Sequence, residues 1–470
     1  MPSMSNQNRF DPAVIATACA GEWLNLPTSA IERFHFDSRE VREGTCFVAL
    51  KTGARDGHSF LAAALKNGAV AALVSEPQAE IPLPQLCVKD TLTALQAIAA
   101  AHRKTFVQPL AAITGSFGKT STKEMLVSML GESQTAATPG NWNNHIGVPL
   151  TLLQIDPAKH HFAVVEAGIS EPGEMPPLGK LARANHVLFT GIGPAHLEAL
   201  GDEAGVAREK FALAENAAED AALFFPCSCL AHEPFRTNSR PCHILVEADS
   251  PIDPQRLPLQ AQLYRYQSKI LGNGSQQIEL ALSAEHHLSF TLASESAGMA
   301  GNAALAALAA HVMGRDHASI CAGIANWRSD SKRGSWEVDK QGRRWFVDCY
   351  NANPMAMRDS LSSFLQHTAK DTTGRLFVLG TMLELGERAT EWHHSSLADF
   401  SFSDKDHFLL IGDATLCQAY ANALQAGSAN PTNILQFNQT PKNLPPALNN
   451  LQTLFLKGSR SHQLEKLLRF

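Results

Sequence analysis

At 470 residues, with 44% hydrophobic and 18% charged residues and a formal net charge of −6, the chain exceeds what one hydrophobic core serves and reads as two or three globular domains. The mild acidity argues against nucleic acid as a partner, because a phosphate-backbone binder carries a strongly basic face or tail. No apolar run reaches the roughly 20 residues of a membrane helix, residues 1–10 lack the apolar core of a signal peptide, and nine cysteines without a repeated C-x-x-C spacing fit reduced thiols, so the expectation is a cytoplasmic protein without membrane insertion.

Residues 1–88 alternate short apolar runs with helical ones. Cys46–Leu50 and Ala69–Val74 predict strands and Ser59–Gly68 a helix, a small α/β unit. Two polar clusters, Asp37-Ser-Arg39 and Arg55-Asp-Gly-His58, fall in turns beside strands, where a capping aspartate is one explanation. Asp90–Lys104 reads as a helix rich in alanine and leucine. It leads into a short apolar strand at Ala111–Thr114, the loop Gly115-Ser-Phe-Gly-Lys-Thr120, and a helical pattern with Met125, Leu126 and Met129 on one side.

In a strand, glycine loop and helix of this kind, backbone N–H groups curl around phosphate oxygens and the helix turns its positive end towards them. Gly115, Ser116 and Gly118 shape the loop, Lys119 adds a mobile cation, and the hydroxyl of Thr120 or Ser121 can ligate Mg²⁺. The predicted ligand is a nucleoside triphosphate. The full P-loop pattern has a glycine five positions before the Gly-Lys pair, where this chain has Ile113, so only the shorter Gly-x-x-Gly-Lys-Thr form is present.

Thr138–Pro149 is too rich in Asn, Gly and Pro to predict a helix. A strand at His161–Glu166 ends in a carboxylate, and another at Asn185–Thr190 runs into a loop, Gly191–Glu198, that carries His196. Strands alternating with helices predict a mostly parallel sheet whose ligand sits beyond the carboxyl ends of the strands, on the same edge as Glu166 and His196. Glu166 fits the acidic partner that magnesium needs beside a single hydroxyl. His196 stays open between a ligand and a satisfied structural histidine, since magnesium prefers oxygen. Residues 217–296 lean towards strands, and an alanine-rich helix follows at Asn302–His311. Near Asp330–Gly334 the chain turns polar and a new alternation begins, with strands at Trp345–Tyr350, Leu376–Gly380, His407–Gly412 and Leu454–Gly458. The fold class is therefore α/β in three domains, 1–88, 89–329 and 330–470, the central one a P-loop ATPase-type parallel sheet.

Seven segments stand in the order in which the Mur ligases carry them: Asp37-Ser-Arg39, the glycine loop, Asn143-Asn-His-Ile-Gly-Val-Pro-Leu150, Gly193-Pro-Ala-His-Leu-Glu198, Asp348-Cys-Tyr-Asn-Ala-Asn-Pro354, Leu383-Glu-Leu-Gly-Glu387 and Lys457-Gly-Ser-Arg460. From about residue 36 to the end the chain resembles that family, most of all its D-alanyl-D-alanine-adding type. The resemblance implies an N-terminal domain for a UDP-sugar substrate, with Ser38 and Arg39 at it, a central ATPase domain, and a C-terminal Rossmann-like domain that closes over the nucleotide. It implies that Lys119 holds the β- and γ-phosphates, that Thr120 and Glu166 hold one Mg²⁺ and His196 a second, and that Lys210 is carbamylated beside the metal. Asn143, Asn144 and Asn302 would lie near the adenine, and Arg333, Asp348 and Asn351 would reach ribose and phosphate from the last domain. The implied reaction is ATP-dependent ligation of UDP-N-acetylmuramoyl-tripeptide to D-alanyl-D-alanine through an acyl-phosphate, in peptidoglycan precursor synthesis, by a monomer. The alternatives are a sibling ligase that adds a different amino acid and an inactive nucleotide-binding relative; joint retention of Lys119, Glu166, His196 and Lys210 weighs against the latter. The chain departs from the family pattern at Thr381, where an aspartate is usual, and before Asn302, where a His-Asn pair is missing.

Overall fold

The apolar runs become strands that collect, in chain order, into three main sheets. The computed structural model describes residues 9–53, 55–272, 274–371 and 373–468; residues 1–8, most of the segment without a signal-peptide pattern, lie outside them. The first sheet contains β1 (Glu22–Trp23), β2 (Arg33–His35), β3 (Thr45–Val48), β4 (Ala69–Val74) and β5 (Gln85–Cys87), ordered β1-β5-β4-β3-β2 and parallel except at the β1 edge. Both polar clusters contain capping aspartates: Asp37 accepts from the Arg39 amide and Asp56 from the His58 amide.

Helix α1 (Thr91–Arg103) starts where Asp90 accepts the Thr93 amide at 2.7 Å. Its buried residues Ala94, Leu95 and Ile98 pack in one cluster with Phe34 and Leu86 of the first unit and with Val148 and Leu153 of the second, so the apolar core is continuous across residue 88.

The central sheet comprises β6 (Leu110–Thr114), β7 (Thr135–Ala137), β8 (Phe162–Glu166), β9 (His186–Phe189), β10 (Ala222–Pro226), β11 (Cys242–Glu247), β12 (Ala261–Ile270), β13 (Gln276–Ala281) and β14 (His287–Leu292), ordered β14-β13-β12-β11-β10-β9-β6-β8-β7. It is parallel from β7 to β12 and closes with an antiparallel meander. Strand β6 is buried along its whole length, as expected of a strand covered on both faces. Register sets Glu166 opposite Ile113 and Phe189 opposite Thr114, which brings the carboxyl ends of β8 and β9 level with the start of the glycine loop.

Helix α2 (Lys119–Leu130) follows that loop and buries Met125, Leu126 and Met129. Helix α3 (Gly147–Gln154) corrects the reading of Thr138–Pro149 as wholly non-helical, because its first turn takes in Gly147, Val148 and Pro149. Proline is tolerated there since a first-turn N–H has no intrahelical partner, and the Asn144 side chain accepts the Ile146 and Gly147 amides at 3.1 and 3.0 Å. After β9, His196 precedes the short helix α4 (Leu197–Leu200), and α5 (Glu203–Glu215) carries Lys210. Helix α6 (Ala297–Val312) begins ahead of the predicted Asn302 because Ser296 caps it, its hydroxyl accepting the Met299 amide at 2.9 Å. The run Ala303–Ala310 is entirely buried, so α6 is apolar all round and enclosed rather than amphipathic.

The last sheet holds β15 (Ser335–Val338), β16 (Arg344–Asp348), β17 (Leu376–Gly380), β18 (His407–Ile411), β19 (Ile434–Phe437) and β20 (Thr453–Lys457), ordered β15-β16-β20-β17-β18-β19 and parallel apart from the β15 edge. Apolar clusters cover both of its faces. Helix α7 (Pro354–His367) leaves β16 through Asn353, which caps it, and its first turn faces the glycine loop of the central sheet.

Candidate active site

A cavity of about 650 Å³ lies between the carboxyl edges of the central and last sheets. Its floor is the glycine loop. Gly115 has φ +151 and a Cβ there would fall 2.1 Å from the Thr190 hydroxyl; Gly118 has φ +74 and its Cβ would fall 2.7 Å from the Asn302 amide. Only glycine lets the backbone pass so close to those side chains. Lys119 folds back to donate to the Gly115 carbonyl at 2.8 Å. Burial lowers the pKa of its ammonium, Glu166 opposes that, and Arg333 adds to it.

Glu166, at the end of β8, is 1% exposed. Its Oε1 accepts from the Thr120 hydroxyl at 3.2 Å and from the Asn143 amide at 2.8 Å. Lys123 Nζ stands 3.7 Å from Oε2 and spends its protons on the carbonyls of Thr138 and Gly140 at 3.0 and 2.9 Å. Oε2 itself is buried without a hydrogen-bond partner among the described residues. A carboxylate held by one oxygen, with its other oxygen unsatisfied beside a hydroxyl, fits a hard cation. No group of three or more His, Cys, Asp or Glu side chains among the described residues could hold a metal alone, and magnesium does not require one, since it commonly takes one or two carboxylates and completes its shell with water and phosphate oxygens.

His196 has φ 56, left-handed for a non-glycine residue, and its Nδ1 lies 2.5 Å from Glu384 Oε2. Its pKa is lowered, first by burial and then by the charge of Lys210, with Glu384 opposing and Lys119 adding to the decrease. Lys210 sits behind the cavity wall on α5, 0% exposed, with no hydrogen-bond partner for Nζ among the described residues. Burial, and then the charge of Lys119, push its pKa well below the usual lysine range.

From the segment leading into β15, Arg333 lays its guanidinium 3.8 Å from the ring centroid of Tyr350, just past β16. Asp348 accepts from Lys457 at 2.5 Å and from the Ser360 hydroxyl, while Asn353 donates to the Ser116 carbonyl at 3.3 Å. Asp359 reaches across to the start of α6, accepting the Gly298 amide at 2.9 Å and the Ser296 hydroxyl at 2.7 Å.

The cavity gathers most of the predicted site. Ser116, Gly118, Lys119, Thr120, Ser121, Glu166 and His196 line it from the loop side. Asn143, Asn144 and Asn302, with Arg333, Asp348 and Asn351 opposite, complete the wall. Ser38 and Arg39 lie elsewhere, in the turn after β2, where Arg39 pairs with Asp37 at 2.6 Å. That turn is tied to the Asn143 segment by Trp142, whose ring centroid is 5.4 Å from that of His35 and 6.0 Å from that of Phe36. Lys123 and Asp359 received no role from the sequence. Lys123 was findable, because it follows Lys119 by four residues on α2 and so shares its face. Asp359 carries no local signal, since its partners are 61 and 63 residues away.

The description "Mur ligase middle domain" matches residues 113–297, and "Mur ligase, glutamate ligase domain" matches residues 333–460, together more than half of the chain. The chain belongs to the Mur ligase family. Within this Mur ligase, the first match begins in β6 just ahead of the glycine loop and the second begins at Arg333. A relative from Escherichia coli, UDP-N-acetylmuramoyl-tripeptide--D-alanyl-D-alanine ligase, is 30% identical over 444 residues, 92% of either chain. The enzyme of that name from Bacillus subtilis is 29% identical over 398 residues, 80% of this chain and 79% of its own. A crystal structure of MurF from Acinetobacter baumannii superposes with a TM-score of 0.77 at 26% identity, covering 96% of both chains. The structure of MurF ligase from Thermotoga maritima in complex with ADP shares the fold, with a TM-score of 0.69 at 23% identity over 93% of this chain and 96% of that one.

Proposed function

We propose that this Mur ligase joins the amine of D-alanyl-D-alanine to the free carboxylate of UDP-N-acetylmuramoyl-tripeptide, converting ATP to ADP and phosphate, in peptidoglycan precursor synthesis. The observation that carries the reading is the cavity in which Lys119, Glu166 and His196 face Arg333, just ahead of the last sheet, and Asp348, at the end of β16. The names of the E. coli and B. subtilis relatives support the choice of substrates. In this reading residues 1–88 take the UDP-sugar through Ser38 and Arg39, residues 89–329 take ATP, and residues 330–470 close over both, in a monomer working in the cytoplasm.

A carboxylate is a poor acylating agent. Its oxygen therefore attacks the γ-phosphorus, the bond to ADP breaks, and an acyl-phosphate forms. The neutral amine then adds to the acyl carbon, and the tetrahedral adduct expels phosphate, which carries away the amine proton, leaving an amide. Lys119 needs only to leave the Gly115 carbonyl to meet the phosphate oxygens, and its positive charge follows the charge that spreads over the transferring group. Mg²⁺, held by Glu166 and Thr120 and a second ion by His196 and Lys210, would supply further neutralisation of that charge. Asn353 and Asp359 bring the last domain against the loop and exclude water that would hydrolyse the acyl-phosphate.

Lys210 enters as its carbamate. With an ordinary pKa of about 10.4, roughly one lysine in 2,500 is neutral at pH 7, too few for ready addition of CO₂. Burial of Lys210 depresses its pKa and raises that fraction. The neutral amine adds CO₂ and loses one proton, which turns an unpartnered base into a carboxylate suited to a metal. Phosphate release with UDP-N-acetylmuramoyl-tripeptide, comparing D-alanyl-D-alanine with single amino acids, tests the reading. Release with the dipeptide alone is expected; equal or better release with a single amino acid would assign the chain to a sibling reaction.

A further inference from the structure

The Glu384–His196 contact joins two domains at a point where both backbones are strained. His196 ends the loop after β9 of the central sheet, and Glu384 ends the loop after β17 of the last one. Each has a positive φ, 56 and 63, a conformation that a non-glycine residue keeps only when its surroundings hold it there. The surroundings are visible. The Glu198 amide donates to the Glu384 carbonyl at 3.3 Å. A Cβ on Gly386 would come within 3.5 Å of Leu197 and Glu198, so residues 384–386 rest directly on the first turn of α4. Only His196 of the pair lines the cavity, and Glu384 stands behind it with its carboxylate on Nδ1 at 2.5 Å.

We infer that Glu384 is a positioning residue that sets the tautomer of His196, and that it does so only when the last domain is closed on the central one. A carboxylate accepts and does not donate, so the neutral ring must carry its proton on Nδ1 and present the Nε2 lone pair on its other side. Without that partner a neutral imidazole exchanges between two tautomers, one of which puts a proton where a ligand atom is needed. A carboxylate behind a histidine is the usual way of fixing ring orientation and raising the basicity of the outward nitrogen. Here the carboxylate comes from a different domain than the histidine. Closure and completion of the site are thereby one event, and an open molecule lacks a competent His196 even with nucleotide bound. The inference rests on the reading of the cavity as the ligation site but is read out separately from it.

The test uses the full chain labelled with ¹⁵N-histidine, in the presence of the ATP analogue and acceptor that close the domains, at a pH where the ring is neutral, with the His196 signal identified by its loss in His196→Gln. Native protein should show a single tautomer protonated at Nδ1. In Glu384→Ala the signal should move to the averaged or Nε2-protonated pattern, with kcat reduced about 10- to 100-fold and KM for ATP held within about threefold. Glu384→Gln, whose amide oxygen can still accept from Nδ1–H, should recover part of both and guards against a folding defect in the alanine variant. An unchanged tautomer in Glu384→Ala, or a kcat within about twofold of native, would overturn the assignment. If the native chain ligates no acceptor, the proposed reaction fails, while the tautomer measurement still decides the role of Glu384.

Discussion

Three lysines around the cavity show how position decides what the same side chain does. Lys123 is fixed by two carbonyls and lies against Glu166, so it steadies the carboxylate and has little freedom to follow a reacting group. Lys119 makes one bond to its own loop and lines the open space, which leaves it able to swing to a phosphate. Lys119→Ala should therefore lower kcat/KM at least about 100-fold, the usual cost of one donor aimed at developing charge, with thermal melting close to native because the side chain supports no core packing. Phosphate-release kinetics beside a melting curve check this, and near-native ligation would remove Lys119 from the chemistry. Lys210 is fully buried with no hydrogen-bond partner for Nζ among the described residues, a placement that costs several kcal/mol if the amine stays charged. Lys210→Ala should lose activity that short-chain carboxylic acids partly restore by supplying a carboxylate in the vacated space. Full activity of Lys210→Ala without added acid would defeat the carbamate.

At the scale of single elements, what was legible had a local cause. The strand, glycine loop and helix at 110–130 follow from apolar periodicity and two glycines of positive φ at which a Cβ would collide with Thr190 and Asn302. The end of Thr138–Pro149 hides a helix from its sequence, because a proline in a first turn looks like a helix breaker while it fits a helix start. The long-range parts, Asp359 on the start of α6 and Glu384 on His196, depend on residues that only the tertiary fold brings together and leave no spacing to read. Another such arrangement crosses the central sheet, where His186, Phe224, His243 and Tyr264 stand on adjacent strands β9 to β12. Their ring centroids are separated in turn by 6.0, 4.6 and 5.6 Å. Burial pushes the pKa of both His186 and His243 down to about 4 from an ordinary 6.5, with repulsion from His243 and His311 respectively adding to it. Between those values the unfolded chain binds more protons than the folded one, so stability is full above about pH 6.5 and falls as the pH drops towards 4. Urea denaturation midpoints measured from pH 7 to 4 should show that decline, and His243→Phe should make it shallower. A midpoint independent of pH over that range would contradict the half-buried neutral pair.

For the whole molecule, the question is what holds the last domain against the central one. Contacts cross at Asn353 to Ser116, His196 to Glu384, His367 to Glu295 at 2.7 Å, and Asp359 to Gly298 and Ser296. The two sheets are joined near the polar segment 329–334, where Gly334 has φ 78 and the chain can turn, so residue 330 marks the expected hinge. Asp359 is the most informative place to test closure, because its two donors belong to the capped start of α6 and the buried one, the Ser296 hydroxyl, meets water once the domains part. Asp359→Ala leaves the buried Ser296 hydroxyl without this partner only in the closed form, while the exposed Gly298 amide turns to water; one buried donor costs about 1–3 kcal/mol, which corresponds to roughly a 5- to 150-fold shift of the closing equilibrium towards open. Scattering profiles of the native chain should contract when an ATP analogue and acceptor are added. The same additions to Asp359→Ala should give a smaller contraction, together with a raised KM for ATP. Native profiles that do not change on adding ligands would speak against a hinge at 330, and an Asp359→Ala profile that contracts as fully as native would show that the α6 cap does not hold the domains together.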